Sequence, residues 1–181
     1  QHDLSSVRTG IMAGSNCPRE LLRRCASELN LRELVVAYGQ TETGPVSFMS
    51  RIVDDEQHRC ETVGRVMPNT ECKVVDERGC TVPVGQPGEL YTRGYLVMNG
   101  YFNSSEQTKQ VLTDDGWLKT GDLCDIDAEG YLRVDGRIKD VIIRGGENIA
   151  PREIEEVIQE IEGVFLAAVV GVPDELYGEQ V

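Results

Sequence analysis

The segment from residue 8 to residue 39 constrains the fold more than any other part of the chain. The letters "RTGIM" and "ELVVAYG" predict two short apolar strands, and "PRELLRRCASEL" between them predicts a helix. Either Ser15 or Asn16 can cap this helix, and Pro18 suits its first turn. Its apolar stripe consists of Leu21, Leu22, Cys25 and Leu29. A strand–helix–strand unit is typical of α/β folds, in which ligands bind beyond the carboxyl ends of the strands.

The rest of the chain has two further patterns. From Thr62 to about Tyr101, short alternating segments are broken by glycine and proline, which predicts a small antiparallel sheet or barrel. Residues 104–112 are predicted to form a short helix. Beyond residue 139 the pattern predicts a strand, a glycine turn, a helix opened by Pro151, and a fully buried strand from Val164 to Val172. The predicted fold class is mixed α/β, with a barrel-like antiparallel part.

The charge balance argues against nucleic acid as a partner. With 31 acidic and 18 basic residues, the chain has a formal net charge of −13, which repels a phosphate backbone. Its longest apolar run is about half of the ~20 residues that cross a bilayer, so we expect a soluble protein without a transmembrane segment. The six cysteines form no CxxC pair, which predicts reduced thiols inside a cell. Because the sequence starts at Gln1 rather than at methionine, we expect a piece of a longer polypeptide.

Two fragments carry polar residues that suit a nucleotide, although each also has an ordinary structural interpretation. The first, "YGQTETG" at residues 38–44, could turn amides and hydroxyls toward a phosphate and offer a carboxylate to magnesium, or it could be a plain turn. The second is "WLKTGDL", in which Asp122 could accept both ribose hydroxyls or form an Asx-turn. Taken alone, each fragment favours the plain turn.

A third fragment, "DGRIKDVIIRGGENIAP", raises the same choice. Arg137 could contact a ribose or a phosphate, or it could form a surface ion pair with Asp135 or Asp140 that contributes ~0 to 1 kcal/mol. For a lone arginine the ion pair is the favoured interpretation. Gly145 and Gly146 could let the backbone pass close to a thin ligand, or they could form an ordinary hairpin turn.

The order and separation of these fragments change the interpretation. The letters "YGQTETG", "GELYTRGYLVMNGYFN", "DGWLKTGDL" and "GRIKDVIIRGGENIAPREIE" together resemble successive motifs of the adenylate-forming superfamily. This superfamily contains acyl-CoA and aryl-CoA ligases, peptide-synthetase adenylation domains and beetle luciferases. Within it, "VVAYGQTETGPVSF" and "IRGGENIAPREIE" are most similar to fatty acyl-CoA synthetases of the medium-chain family member 2 type. The resemblance covers almost the whole chain from about Gly10.

The resemblance implies an activity and its small-molecule partners. Such enzymes use ATP and Mg²⁺ to convert a fatty acid to an acyl-adenylate, and then transfer the acyl group to coenzyme A. The loop from Ala13 to Pro18, which contains Gly14 and Ser15, would lie along the adenine, with Asn16 and Cys17 as departures from the family pattern. Val46, Phe48 and Met49 could line an acyl pocket or could be plain core.

The resemblance also implies roles in binding the nucleotide and in catalysis. Tyr38 would stack near the adenine, while the backbone of Gly39 and Gln40 would approach the nucleotide. Thr41 would bond the α-phosphate and Glu42 would hold magnesium, which makes these two the expected catalytic residues. The matches to the ribose-binding aspartate and the arginine beside it are Asp122 and Arg137.

The expected division into domains follows from the same motifs. Residues 1–60 would end an α/β subdomain of a large N-terminal adenylating domain, and residues 61–138 would be its β-rich subdomain. Residues 139–181 would begin a mobile C-terminal domain, with Lys139 as the hinge. Gly145 and Gly146 would belong to a loop on the coenzyme A side.

Two parts of the family pattern are expected outside this chain. The phosphate loop "TSGTTGxPKG" would lie upstream of Gln1, and the catalytic lysine would lie beyond Val181, so we expect the chain to be inactive alone. Two alternatives stay open: an adenylating enzyme whose acceptor is a carrier protein, and a non-catalytic binding fragment. The mitochondrial matrix and the cytoplasm are both possible compartments, and the acyl chain length and oligomeric state stay undetermined.

Overall fold

The computed structural model describes residues 3–15 and 17–181. The helices are α1 (Arg19–Glu28), α2 (Glu56–Glu61), α3 (Ser105–Val111) and α4 (Pro151–Gln159). The strands are β1 (Thr9–Met12), β2 (Glu33–Tyr38), β3 (Phe48–Met49), β4 (Arg65–Val66), β5 (Thr70–Val75), β6 (Gly88–Gly94), β7 (Leu118–Ile126), β8 (Leu132–Arg137), β9 (Ile142–Arg144), β10 (Glu147–Ile149), β11 (Val172–Asp174) and β12 (Gly178–Gln180). Short 3₁₀ turns span Thr41–Thr43 and Ile138–Asp140. None of the described helices is long and apolar enough to cross a lipid bilayer.

The first sheet contains the predicted strand–helix–strand unit. Its strand order is β1-β2-β3-β4, and β1 runs parallel to β2 with Thr9 opposite Glu33. Leu22 of α1 packs against β2, so this part of the prediction is confirmed. The prediction that Ser15 caps helix α1 is wrong. Pro18 occupies the N-cap position, and no side chain forms a capping hydrogen bond there. The alternative cap, Asn16, lies outside the described residues.

The second sheet is the predicted antiparallel part. Its order is β5-β6-β7-β8, with every neighbouring pair antiparallel. Its edge strands do not pair with each other among the described residues, so the sheet is open rather than closed into a barrel. The apolar face of the sheet joins the first sheet in one core cluster, which buries Phe48, Val74, Leu90, Cys124 and Leu132.

The third sheet, with order β10-β9-β12-β11, lies in the C-terminal part together with α4. Arg144 pairs with Glu147, so Gly145 and Gly146 form the predicted two-residue hairpin turn, both with positive φ. The predicted buried strand over Val164–Val172 is wrong. No regular structure spans residues 165–171, and Phe165 is 96% exposed. An apolar run forms a strand only when a neighbouring strand pairs with it, and none of the described strands pairs with residues 164–171.

Candidate functional site

A cavity of about 770 Å³ opens where β1 and β2 end. Its wall includes the loop after β1, the end of β2, the middle of β7, the end of β8 and helix α4. Predicted site residues that line it are Gly14, Ser15, Tyr38, Gly39, Asp122, Arg137 and Lys139. These residues come from four separate fragments of the sequence. The structure therefore brings most of the predicted nucleotide residues to one cavity.

Asp122 lies at the centre of the polar part of this wall. Its carboxylate is buried, and each of its two oxygens has one polar partner. Tyr38 Oη donates a hydrogen bond to Oδ2 at 2.5 Å, and Arg137 Nε lies 2.9 Å from Oδ1. Among the described residues, Asp122 forms no Asx-turn. Arg137 forms no ion pair there with Asp135 or Asp140.

The local backbone explains why these three side chains meet. Asp122 and Arg137 are directly opposite each other on the antiparallel strands β7 and β8. Gly121 has a φ of +72°, a conformation that favours glycine, and it lies between Thr120 and Asp122. Arg137 Nη1 donates to the Thr120 carbonyl at 3.3 Å, which orients the guanidinium along the strand.

The pKa values at this site reflect burial. Desolvation raises the pKa of Asp122, although the bond from Tyr38 and the charge of Arg137 act in the opposite direction. Burial also raises the pKa of Tyr38, so its hydroxyl stays protonated and donates. A carboxylate has about four acceptor positions, and two of them are used here. Asp122 can therefore still accept bonds from two neighbouring hydroxyls, as a ribose presents.

The segment "YGQTETG" forms a tight turn beside the cavity. A side chain at Gly39 would lie 2.0 Å from the Pro45 carbonyl oxygen, so only glycine fits where the loop closes on itself. The backbone amide of Gln40 donates to Thr43 Oγ1 at 3.0 Å, and Thr43 is buried. Gln40 Nε2 is buried and has no hydrogen-bond partner in the described part of the chain. Thr41 is exposed at the start of the turn.

Thr41 and Glu42 do not line the cavity in this structure, although they follow Gly39 and Gln40 directly. Both offer hard oxygen donors, the kind that magnesium prefers. Glu42 forms no ion pair with any described lysine or arginine, so its charge is free for a cation. Its Oε1 accepts a hydrogen bond from Tyr101 Oη at 2.8 Å. The donor set therefore fits the magnesium that the family resemblance implies.

The remaining predicted residues lie on the C-terminal side. Lys139 lines the cavity from the exposed 3₁₀ turn between β8 and β9. Gly145 and Gly146 are exposed and do not line the cavity, and Gly145 N donates to the Tyr177 carbonyl at 2.8 Å. The hairpin is therefore hydrogen-bonded to the turn between β11 and β12, within the C-terminal part of the chain.

Of the three candidates for an acyl pocket, Phe48 is core. It is fully buried in the cluster shared by the first two sheets, and Tyr38 packs edge-on against it. Val46 and Met49 are half-buried, and neither lines the cavity. The described residues therefore support the plain-core interpretation for Phe48.

Arg152, which follows the proline that opens α4, was not among the site residues predicted from the sequence. Arg152 lines the cavity, donates a hydrogen bond to the Val134 carbonyl of β8, and lies 2.8 Å from Glu156. The position of an arginine in the first turn of a helix, directly after a glycine hairpin, was the available signal. This residue connects the C-terminal part to the sheet that carries Asp122.

A second group of possible metal ligands contains His58, Asp127 and Glu129, whose ligand atoms lie within 4.8 Å of one another. None of the three lines the cavity. His58 is already paired on both ring nitrogens, with Asp55 at 2.6 Å and Glu129 at 3.2 Å. The group is therefore explained as an ion-pair network between α2 and the β7–β8 turn.

Comparisons with known proteins show which family this chain is similar to. The family model described as "AMP-binding enzyme" matches residues 1–102. The putative acyl-CoA synthetase YngI of Bacillus subtilis (strain 168) is 48% identical over 180 residues, 99% of this chain and 33% of its own length. The mitochondrial medium-chain acyl-CoA ligase ACSF2 of Danio rerio is also 48% identical over 180 residues, again 99% of this chain and 30% of its own length.

The same family appears among solved structures. ATP-bound MatB from Rhodopseudomonas palustris superposes with a TM-score of 0.86 at 34% identity, covering 93% of this chain and 33% of its own. The chain spans about a third of the length of the curated relatives it matches. Because the family model covers more than half of the chain, and the homologues include acyl-CoA synthetases of the medium-chain type, the protein belongs to the AMP-binding enzyme family.

Proposed function

We propose that this chain carries the ribose-binding and metal-side elements of an ATP-dependent acyl-CoA synthetase that acts on fatty acids. The observation that carries the proposal is the arrangement of Tyr38, Asp122 and Arg137 on the wall of one cavity. A buried carboxylate with free acceptor positions suits the two hydroxyls of a ribose. Relatives named as acyl-CoA synthetase and medium-chain acyl-CoA ligase support the substrate class.

The reaction would proceed in two steps. A fatty-acid carboxylate oxygen attacks the α-phosphorus of ATP, which releases pyrophosphate and leaves an acyl-adenylate. The sulfur of coenzyme A then attacks the acyl carbon, and AMP leaves with the electron pair of the broken bond. Thr41 would donate a hydrogen bond to an α-phosphate oxygen, and Glu42 would hold Mg²⁺, which offsets phosphate charge. Asp122 would hold the ribose, and the backbone of Gly39 and Gln40 would lie along the nucleotide.

The same proposal assigns the parts of the chain. Residues 1–60 and 61–138 would belong to an adenylating domain, and residues 139–181 to a mobile domain that turns at Lys139. The glycine turn at Gly145 and Gly146 would approach coenzyme A after that rotation. Because the zebrafish relative is named as mitochondrial, the mitochondrial matrix is the compartment we propose.

The role of Asp122 can be tested by calorimetry with AMP, 2′-deoxy-AMP and 3′-deoxy-AMP. We expect the wild-type chain to prefer AMP, because each missing hydroxyl removes a bond to a charged acceptor. Such bonds contribute about 1.5 to 3 kcal/mol, so Asp122→Asn should weaken AMP binding by about 10- to 100-fold and abolish the preference. Asp125→Asn, on the same strand, is the matched control and should keep it.

Equal binding of AMP and both deoxy forms by the wild-type chain would contradict the assignment of Asp122. For the complete protein, the activity is checked by fatty-acid-dependent exchange of pyrophosphate into ATP, which should be lost in Asp122→Asn and retained in Asp125→Asn. Thioester formation with free coenzyme A then separates a ligase from an enzyme whose acceptor is a carrier protein.

A further inference from the structure

The segment from Tyr95 to Tyr101 packs around the turn that carries Glu42. Tyr101 Oη donates to Glu42 Oε1 at 2.8 Å, although the two residues are 59 positions apart. The Met98 amide donates to the Glu42 carbonyl at 2.9 Å, so the segment holds both the side chain and the backbone of Glu42. On the far side of the turn, a side chain at Gly44 would lie 3.0 Å from the Leu96 carbonyl oxygen. Glu42 is therefore held by hydrogen bonds from a second part of the chain.

Tyr101 is itself held by helix α3. Its amide donates to Thr108 Oγ1 at 2.9 Å, and that hydroxyl donates in turn to the Ser104 carbonyl at 2.9 Å. Gly100, with a φ of +143°, brings the backbone so close to Thr108 that a side chain at Gly100 would lie 2.8 Å from it. The position of the Tyr101 side chain is thus determined by α3 rather than by Glu42 alone.

We propose that Tyr101 is a positioning residue that orients the Glu42 carboxylate for a divalent cation. The phenol binds Oε1 and leaves Oε2 with no described partner. Because the phenol is a neutral donor, it orients the carboxylate and leaves its negative charge in place, whereas a lysine or arginine would cancel that charge. Outer partners of this kind determine how well a metal ligand binds.

The inference rests on the proposed role of Glu42, and manganese binding tests both. Mn²⁺ is titrated into the complete protein, which is kept in excess over a non-hydrolysable ATP analogue so that little free nucleotide is left to chelate the cation, and free Mn²⁺ is measured by electron paramagnetic resonance. We expect Tyr101→Phe to weaken Mn²⁺ binding about 10-fold or more, the usual cost of losing an outer partner. Tyr95→Phe is the matched control, because Tyr95 is 76% exposed on the same segment and has no described hydrogen bond. It should bind Mn²⁺ like wild type.

Two further variants separate the possible outcomes. Glu42→Gln should weaken Mn²⁺ binding more than Tyr101→Phe, and adding Tyr101→Phe to Glu42→Gln should cost nothing more. If Glu42→Gln weakens binding but Tyr101→Phe does not, the positioning role is wrong and the proposed metal role of Glu42 stands. If neither variant changes Mn²⁺ binding by the complete protein, both roles are wrong.

A structural check keeps the result interpretable if Tyr101→Phe lowers stability. Glu42→Asp retains the charge but shortens the side chain, which breaks the bond to Tyr101 while leaving Tyr101 and its contacts with α3 in place. Mn²⁺ binding by Glu42→Asp should be weakened, and Tyr101→Phe should have no added effect in that background. An added effect of about the same size as in wild type would overturn the inference, since it would come from general loosening of the segment.

Discussion

The antiparallel sheet β5–β8 and the C-terminal residues 141–181 bury their apolar side chains to very different extents. In the sheet, Leu90, Leu118 and Leu132 are almost completely inaccessible to solvent. In the C-terminal part, Phe165 is 96% exposed and Leu166 is 76% exposed, and the only buried apolar residues are Ile142 and Ala150 among those described. The sheet therefore packs into a core that it shares with the first sheet, whereas the described C-terminal residues bury few apolar side chains.

The difference indicates how the two regions could serve one site. Asp122 needs a rigid support, because its two partners must stay within hydrogen-bond distance while a ligand binds. A domain that rotates about a hinge needs a small interface with few buried side chains. Among the described residues, the bond from Arg152 to the Val134 carbonyl connects the C-terminal part to the sheet.

The largest expected effect is on global stability. Leu132→Ala in the sheet should lower the free energy of unfolding by about 2 to 5 kcal/mol, because it leaves a cavity in a packed core. Leu166→Ala makes the same chemical change at an exposed position and should cost no more than about 0.5 kcal/mol. Urea denaturation followed by the fluorescence of the buried Trp117 measures both. Similar losses for the two variants would contradict the difference between the regions.

A smaller and more local effect is expected at Arg152. Its side chain is half-buried and donates to Val134 O, and a hydrogen bond to a charged group contributes about 1.5 to 3 kcal/mol. Arg152→Ala should therefore accelerate amide exchange in residues 141–181 about 10-fold or more, without changing the sheet. Mass spectrometry of hydrogen exchange measures this by region.

The control for that experiment is Arg24→Ala, which removes an exposed ion pair with Glu28 at 2.8 Å. It should leave exchange in residues 141–181 unchanged. If Arg152→Ala accelerates exchange equally in β5–β8, then Arg152 supports the whole molecule and is not a local connection between two regions.

Local patterns predicted the elements well, for identifiable reasons. Strand β2 has a continuous apolar run, helix α4 begins at a proline, and the hairpin of β9 and β10 turns at two glycines. Each of these signals lies within a few residues of the structure it determines. Asp122 and Arg137, in contrast, were predicted as site residues only through the family resemblance, because each fragment taken alone favoured a plain turn or a surface ion pair.

Partners that are distant in sequence could not be predicted in this way. Tyr38 is 84 residues from Asp122, and Tyr101 is 59 residues from Glu42, so no local pattern connects them. The same limit explains the wrong strand over residues 164–172. Its apolar run met the local criterion, but a strand also needs a neighbour, and that neighbour cannot be read from the run itself.

The smallest expected effect tests the edge of the sheet region, where His58 of α2 meets the β7–β8 turn. The hydrogen bond to Asp55 raises the pKa of His58, and the charges of Glu129 and Asp127 act in the same direction. A raised pKa in the folded state means that protonation favours folding. The stabilisation is therefore fully present below the unfolded-state pKa of about 6.5 and is lost as the pH rises through the folded-state pKa.

His58→Gln removes this titration and keeps a polar side chain. Ion pairs at the surface contribute ~0 to 1 kcal/mol. We therefore expect the free energy of unfolding of wild type to exceed that of the variant by at most about 1 kcal/mol at pH 5.5, and by a smaller amount at pH 9. Urea denaturation at the two pH values measures the difference, in which the titration of other groups cancels. A difference that is the same at both pH values would show that His58 acts through its stacking on Tyr131, 4.0 Å between ring centroids, rather than through its charge. In both cases we expect His58→Gln to lower the free energy of unfolding much less than Leu132→Ala does. A larger loss for His58→Gln would contradict the view that the core of the sheet contributes more stability than its edge.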